Sequence, residues 1–320
     1  MLSRITGWRM RRFWLLSLLA LAAVGATADS RPVSPADPPA SPPASAVMAA
    51  TGQVYDDGLL FELTRPEPGP PIYLFGTIHS EDPRVLALPD AVTSALDAAE
   101  TLVLEVVPDA DSTRAAAAAM RLADGKLLAH LVPPELYRRC LAAAASRGLP
   151  ARALEALKPW AVMLLMSMPP SQTGEFLDRR LYNLAQAEGK PTLGLETTVE
   201  QLSLFEQFSL AEQRALLDAA LAAQADRERM LEDLVGAYLR ADLGELLSLS
   251  EASEPGLDPA VRRRFRDVLI DARNQRMLHR ISALPADRRY FIAVGALHLP
   301  GQAGLLAGLD EAGFDVRRLY

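Results

Sequence analysis

The sequence predicts an α/β fold with α+β character: a central mixed sheet built from the N- and C-terminal segments of the folded region, with a large helical insertion between them. Three observations lead there. Short apolar runs bounded by turn residues cluster at 59–107 and again at 290–319. Ala- and Leu-rich stretches with polar residues at helical spacing fill most of the interval. Two of the apolar runs, Tyr73-Leu74-Phe75-Gly76-Thr77-Ile78-His79 and Ile292-Ala293-Val294-Gly295-Ala296-Leu297-His298, close on the same Gly-x-x-His pattern, each histidine at or just beyond a strand's carboxyl end. In open α/β sheets that end is where ligands bind.

Taken in order, Leu59 to Leu63 reads as a strand. The turn cluster Pro66-Glu67-Pro68-Gly69-Pro70 then predicts a hairpin into a strand at Ile72–Gly76. Pro89-Asp90 opens a helix to about Ala99, and Thr101 to Val107 follows as a buried strand. A strand, a helix of that length and a strand suggest a β-α-β unit with a right-handed crossover. Helical spacing runs from about Ser112 to Met168 and from Glu175 to Glu188, the latter ended by Gly189 and Pro191. Thr192 to Glu196 reads as a short strand, helices resume from Thr198 to about Ile281, and Tyr290–Gly295 is a strand. A helix at 302–309 and a strand at 315–319 close the domain, expected over 54–320.

Ahead of it, Arg4, Arg9, Arg11 and Arg12 precede the apolar run Phe13 to Val24 and the small-residue pattern Ala26-Thr27-Ala28. This is the architecture of a secretory signal peptide over 1–28. The run is shorter than the roughly 20 apolar residues a spanning helix needs, so cleavage after Ala28 and a periplasmic or secreted location are expected. Residues 29–53, rich in Pro and Ala, read as a disordered linker. Removing the four arginines leaves 29 basic against 40 acidic side chains, a balance of −11. That argues against a nucleic-acid surface, which needs clustered Lys and Arg, and against an anionic membrane as partner; stable membrane insertion is not expected once the signal is gone, because no later stretch is long and apolar enough to span a bilayer. The single cysteine, Cys140, precludes an intramolecular disulfide and reads as a buried small hydrophobe.

His79 and His298 are the patterned pair among four histidines; His130 and His279 read as surface or partly packed. A glycine three residues earlier lets a backbone or a ligand come close. Glu105 interrupts an apolar run, and a buried carboxylate needs a cation, a metal or strong donors. Two imidazoles and a carboxylate suit a divalent cation with a position open for water; salt-bridging to a core arginine is the other reading of Glu105. Glu196 ends a similar run and reads as a supporting carboxylate, a general base or a partner for the helix starting at Thr198. Arg273 is suited to stabilise an anionic intermediate and Asn274 to orient water or substrate, or both belong to a solvated helix face. Lys158-Pro159-Trp160 reads as structural, Pro opening a helix and Trp packing.

These segments, with Leu157-Lys158-Pro159-Trp160, Gly194-Leu195-Glu196-Thr197, Arg273-Asn274-Gln275-Arg276 and Gly295-Ala296-Leu297-His298-Leu299-Pro300-Gly301, together resemble the TraB/GumN family over about 54–320. The resemblance implies kinship with the Tiki metalloproteases, whose pattern also uses two Gly-x-x-His motifs and a glutamate. More distantly it implies similarity to erythromycin esterases and the ChaN haem-binding proteins. Carried over, it makes His79, Glu105 and His298 the metal-site residues for Mn, Co or Zn, with Asn274 and Arg273 beside them. The expectation is a metal-dependent hydrolase of a peptide or other acyl bond, acting on a peptide or small-molecule substrate. The alternatives are a metal-independent esterase with His79 as base, oriented by Glu105, and a binding protein for haem or another small ligand.

Overall fold

A computed structural model describes residues 55–123, 125–251 and 257–320; the expected signal peptide and the expected linker lie outside the described residues. Six strands form one sheet: β1 (Leu60–Thr64), β2 (Ile72–Thr77), β3 (Thr101–Leu104), β4 (Thr192–Gly194), β5 (Tyr290–Gly295) and β6 (Asp315–Arg318). Their spatial order is β4-β3-β5-β2-β1-β6. The predicted hairpin is present, β1 pairing antiparallel with β2 and, on its other side, with β6. β2, β5, β3 and β4 are mutually parallel. The sheet is therefore mixed and drawn from both ends of the domain, with helices occupying most of 110–282.

Two expectations change. β2 and β3 are not neighbours: β5 lies between them and pairs with both. The physical reason is in its sequence. Tyr290 to Val294 are all buried, as a strand covered on both faces must be, so β5 takes the centre of the parallel set. β3 also ends at Leu104, not Val107, which leaves Glu105 just past the strand.

Core packing divides in two. One cluster surrounds the sheet and includes Phe75, Phe291, Leu96, Leu181 and Leu309. The other lies within the helical region around Trp160, Phe205, Phe208, Leu217 and Phe265. Helix Pro159–Ser167 has Pro at its first position and an apolar sequence buried nearly all round, as the core helix of a bundle requires. Trp160 stacks on Phe205, their rings 5.3 Å apart, and its indole N–H donates to Glu206 at 2.9 Å. Cys140 is buried in the same cluster, which pushes its thiol up to about 11. No helix among the described residues is long and apolar enough to cross a membrane.

Candidate functional site

Parallel pairing sets the site. Thr77 of β2 lies opposite Gly295 of β5, and Leu104 of β3 lies opposite Ala293. The Leu195 and Glu196 N–H groups extend the β3–β4 pairing by donating to the Leu104 and Glu105 carbonyls at 2.7 Å. Glu196, Glu105, Gly295 and Thr77 thus cluster, within a one-residue stagger between neighbours, at the carboxyl ends of four adjacent strands spaced about 4.8 Å apart. The two Gly-x-x-His motifs also pack on each other. A Cβ on Gly76 would sit 2.8 Å from Leu299 Cδ1 and 3.2 Å from Ala296 Cα, so only glycine lets β2 approach the turn that carries His298.

Arg273 is the hub of the first cluster. It is fully buried on helix Ala272–Ser282, directly after a π-helical turn at Asp267–Asp271. Wide turns of this kind recur at functional sites. Its Nε donates to Glu196 Oε2 at 2.7 Å, and its Nη2 lies 2.7 Å from the same oxygen and hydrogen-bonds Glu105 Oε2. Nη1 donates to the Leu269 carbonyl at 3.4 Å and to His298 Nε2 at 3.1 Å. Arg276 neutralises the other Glu196 oxygen at 2.6 Å. Burial opposes the Arg273 charge, but Glu105 and Glu196 outweigh it and its pKa is raised.

Glu105 accepts three donors from the protein. Oε1 accepts the Gly295 N–H at 2.6 Å, and Oε2 accepts Gln201 Nε2 at 3.2 Å beside Arg273. Burial pushes its pKa upward, yet Arg273 and the Gly295 N–H pull harder and hold it at about 2. Asn274 donates to the Ala303 carbonyl at 2.7 Å, which turns its Oδ1 toward His298 Nδ1 at 2.6 Å. The His298 proton therefore sits on Nδ1 and the Nε2 lone pair accepts from Arg273. Burial, with Arg273 beside it, lowers the His298 pKa to about 3.

His79 stands apart from these contacts. Its Nδ1 is 3.4 Å from Asp178 Oδ2, and the Asp178 Oδ1 accepts the Thr77 hydroxyl at 3.0 Å. Its ring lies against Phe176, 4.1 Å between centroids. His79 Nε2 is buried and has no hydrogen-bond partner among the described residues. The segment over it is tied down by Glu81, whose carboxylate accepts the N–H groups of Gln172, Thr173 and Gly174 and the hydroxyls of Ser171 and Thr173. Partial burial works against that charge, but these donors hold Glu81 at about 2.

The structure thus joins Glu105, His298, Arg273, Asn274 and Glu196 in one bonded cluster and gives His79 its own partner. As arranged, this donor set does not fit a metal shared by His79, Glu105 and His298: both His298 nitrogens and Glu105 Oε2 are committed, and the Arg273 guanidinium is the cation between them. Among the described residues no three His, Cys, Asp or Glu side chains are gathered so as to hold a metal ion. Arg273 likewise has every donor engaged, so it holds the cluster together and has no N–H left for an intermediate. His130 and His279 are exposed. Asp178, Gln201, Arg276, Glu81 and Phe176 were not anticipated. Two of them left a signal: Asp178 shares a helical stripe with Leu181, Tyr182 and Ala185, and Gln201 shares one with Thr198 and Leu202. A polar residue on an apolar stripe needs a partner.

The His298 environment makes stability depend on pH. Its folded pKa of about 3 lies below the ordinary value of 6.5, so the unfolded chain binds the proton more readily. The contribution is complete above about pH 6.5 and is lost as pH falls toward 3, with a slope approaching 1.4 kcal/mol per pH unit. Urea unfolding at pH 6.5, 5.5 and 5.0 should show that slope for the wild type. His298→Gln, which keeps an acceptor for Arg273, should flatten it; equal slopes in the two proteins would refute the assignment.

A model of the TraB/PrgY/gumN family matches residues 59–318. The zebrafish (Danio rerio) protein named Metalloprotease TIKI2 is 27% identical over 95% of this chain and 67% of its own length. The Uncharacterized protein YbaP of Escherichia coli is 24% identical over 73% of this chain and 85% of its own. The Metalloprotease TIKI homolog of Amphimedon queenslandica is 27% identical over 80% of this chain and 61% of its own length. No solved structure matches. With the match spanning the sheet, the helical region between its ends and both Gly-x-x-His motifs, the chain belongs to the TraB/PrgY/gumN family.

Proposed function

We propose that this chain is an exported hydrolase of peptide or other acyl bonds, with His79 as the proton-handling residue at the carboxyl ends of β2, β3 and β5. The observation that carries the reading is the His79–Asp178 pair: a carboxylate beside Nδ1 and a buried Nε2 with no protein partner. A carboxylate 3.4 Å from one ring nitrogen, close enough to act by charge without a hydrogen bond, favours the proton there and leaves the lone pair on the other, the state a general base requires. His79 Nε2 removes a proton from water as the water oxygen attacks the acyl carbon. The same nitrogen then returns that proton to the leaving nitrogen or oxygen. Thr77 and Asp178 orient the ring, and Phe176 covers it against bulk water. The neighbouring Arg273 cluster keeps the strand ends rigid. Hydrolysis and a peptide substrate are also suggested by the names of the TIKI relatives, Metalloprotease TIKI2 and Metalloprotease TIKI homolog, which speak of metal as well. The His79 scheme uses no metal, because both His298 nitrogens are committed to Arg273 and Asn274.

The test is hydrolysis of a mixed peptide library and of activated esters, followed by mass spectrometry. His79→Gln should lower the rate at least about 100-fold with thermal stability retained, and Asp178→Asn should lower it by less. Activity that survives chelation supports His79 as base. Activity lost on chelation and restored by Mn, Co or Zn would replace this scheme with a metal-dependent one. Equal rates for wild type and His79→Gln would remove His79 from the chemistry altogether.

A further inference from the structure

A second charged feature lies in the helical region and plays no part in the His79 scheme. Arg147 follows helix Pro134–Ser146, and Arg227 opens helix Arg227–Leu239. Both side chains run to the carboxyl end of helix Pro159–Ser167. Arg147 donates to the Leu165 carbonyl at 2.7 Å and to the Met166 carbonyl at 3.1 Å, and Arg227 Nη2 donates to that same Met166 oxygen. Two guanidinium nitrogens on one oxygen are within about 6 Å of each other. Gln224 lies beside them, its Nε2 3.6 Å from Met166 Sδ.

Neither arginine has a carboxylate partner among the described residues. The adjacent Asp226 lies 3.7 Å from Arg229 instead. Both are half-buried. Burial, with Arg227 nearby, lowers Arg147 to about 10, and burial lowers Arg227 as well. Two cations are more than the end of one helix calls for. Its dipole amounts to roughly half a negative charge, so the pair leaves a net positive centre. Arg147 Nε and Arg227 Nε and Nη1 make no bond to the protein, and none of them is a buried atom lacking a partner. They are donors still open to a ligand. Carboxylates and phosphates are the groups such paired forks bind.

We infer that Arg147 and Arg227 form a binding site for a small oxyanion, a carboxylate or a phosphate, at the carboxyl end of helix Pro159–Ser167. The site is independent of the hydrolytic reading. Its position bears on that region all the same, because the chain runs from this helix end through the segment held by Glu81 to Phe176 over His79.

The full chain is titrated by calorimetry with inorganic phosphate and, separately, with succinate, at matched ionic strength. Saturable binding of at least one is expected, and the tighter of the two identifies the group recognised. Arg147→Met and Arg227→Met should each weaken it at least about tenfold, while Arg138→Met, which removes an exposed arginine elsewhere, should leave it unchanged. Since either variant removes a helix-capping contact, a measurement on the wild type accompanies them. Phenylglyoxal modification of Arg147 and Arg227, read by peptide mass, should slow when the bound anion is present. Binding that is unsaturable, or as tight in both Met variants as in the wild type, or accompanied by no protection at these two arginines, would overturn the site and leave the pair as a helix cap alone.

Discussion

Arg273→Met is expected to destabilise the fold by about 3–5 kcal/mol at neutral pH, the usual loss when one partner of a buried ion pair is removed. Methionine fills much of the same volume, so packing contributes little to the change and the charges left behind contribute most. Glu196 keeps Arg276 at 2.6 Å. Glu105 keeps only the Gly295 N–H and Gln201, neither of them charged. Arg273→Lys should fall between wild type and Arg273→Met, since an ammonium retains the charge but cannot serve two carboxylates, a carbonyl and an imidazole at once.

The Arg273→Met variant should also depend on pH less steeply than the wild type, although burial, the larger cause of the low His298 pKa, remains. Arg273 helps suppress the His298 proton, and Glu105 Oε1, 3.7 Å from His298 Nε2, favours it. Without the guanidinium the His298 pKa rises. The gap to its unfolded value narrows, so less stability is lost as pH falls below about 6.5. Denaturant unfolding at pH 5.5 and 8 reads both effects. The deficit of Arg273→Met should be smaller at pH 5.5. A loss under about 1 kcal/mol, the range of exposed pairs, would mean that water already screens the cluster.

Much of this arrangement could be read from the chain in order, and the limits have physical causes. The hairpin, the buried strand Tyr290–Gly295 and the helical interval each follow from local periodicity, which a sequence carries directly. The Gly-x-x-His echo pointed to the strand ends, and Gly76 proved to be the close contact its type suggests. Glu105 was conspicuous as an acid in an apolar run, but its counter-ion lies 168 residues away. Local pattern cannot choose between a distant arginine and a metal, because either satisfies a buried carboxylate equally well on paper. The place of β5 between β2 and β3 is a non-local pairing of the same kind. Asp178 was legible in principle from its apolar helical stripe, yet an acid in a helix's first turn has a ready explanation in the helix dipole, and that explanation hid it.

Glu105→Gln isolates the same cluster by changing one charge and almost no volume. Both Glu105 oxygens are acceptors: Oε1 faces the Gly295 N–H, and Oε2 faces Arg273 Nη2 and Gln201 Nε2. Glutamine offers one oxygen and one NH2. Whichever way the amide turns, its donors meet another donor, at Gly295 or at Arg273 and Gln201, so the change adds a conflict to the lost charge. A loss of about 3–5 kcal/mol is expected at neutral pH, and it should depend on pH in a defined way. The folded Glu105 pKa of about 2 lies below the ordinary 4.5, so the wild-type advantage is whole above about pH 4.5 and shrinks as pH falls toward 2. The double variant Glu105→Leu with Arg273→Met supplies the control. Removing both partners leaves neither charge stranded, and its loss should be well below the sum of Glu105→Leu and Arg273→Met measured singly. If Glu105→Gln instead proved as stable as wild type or more so, the carboxylate would be a strain on the fold that the Arg273 contact does not relieve, and a role in binding a cation or substrate would be the remaining reason for its place.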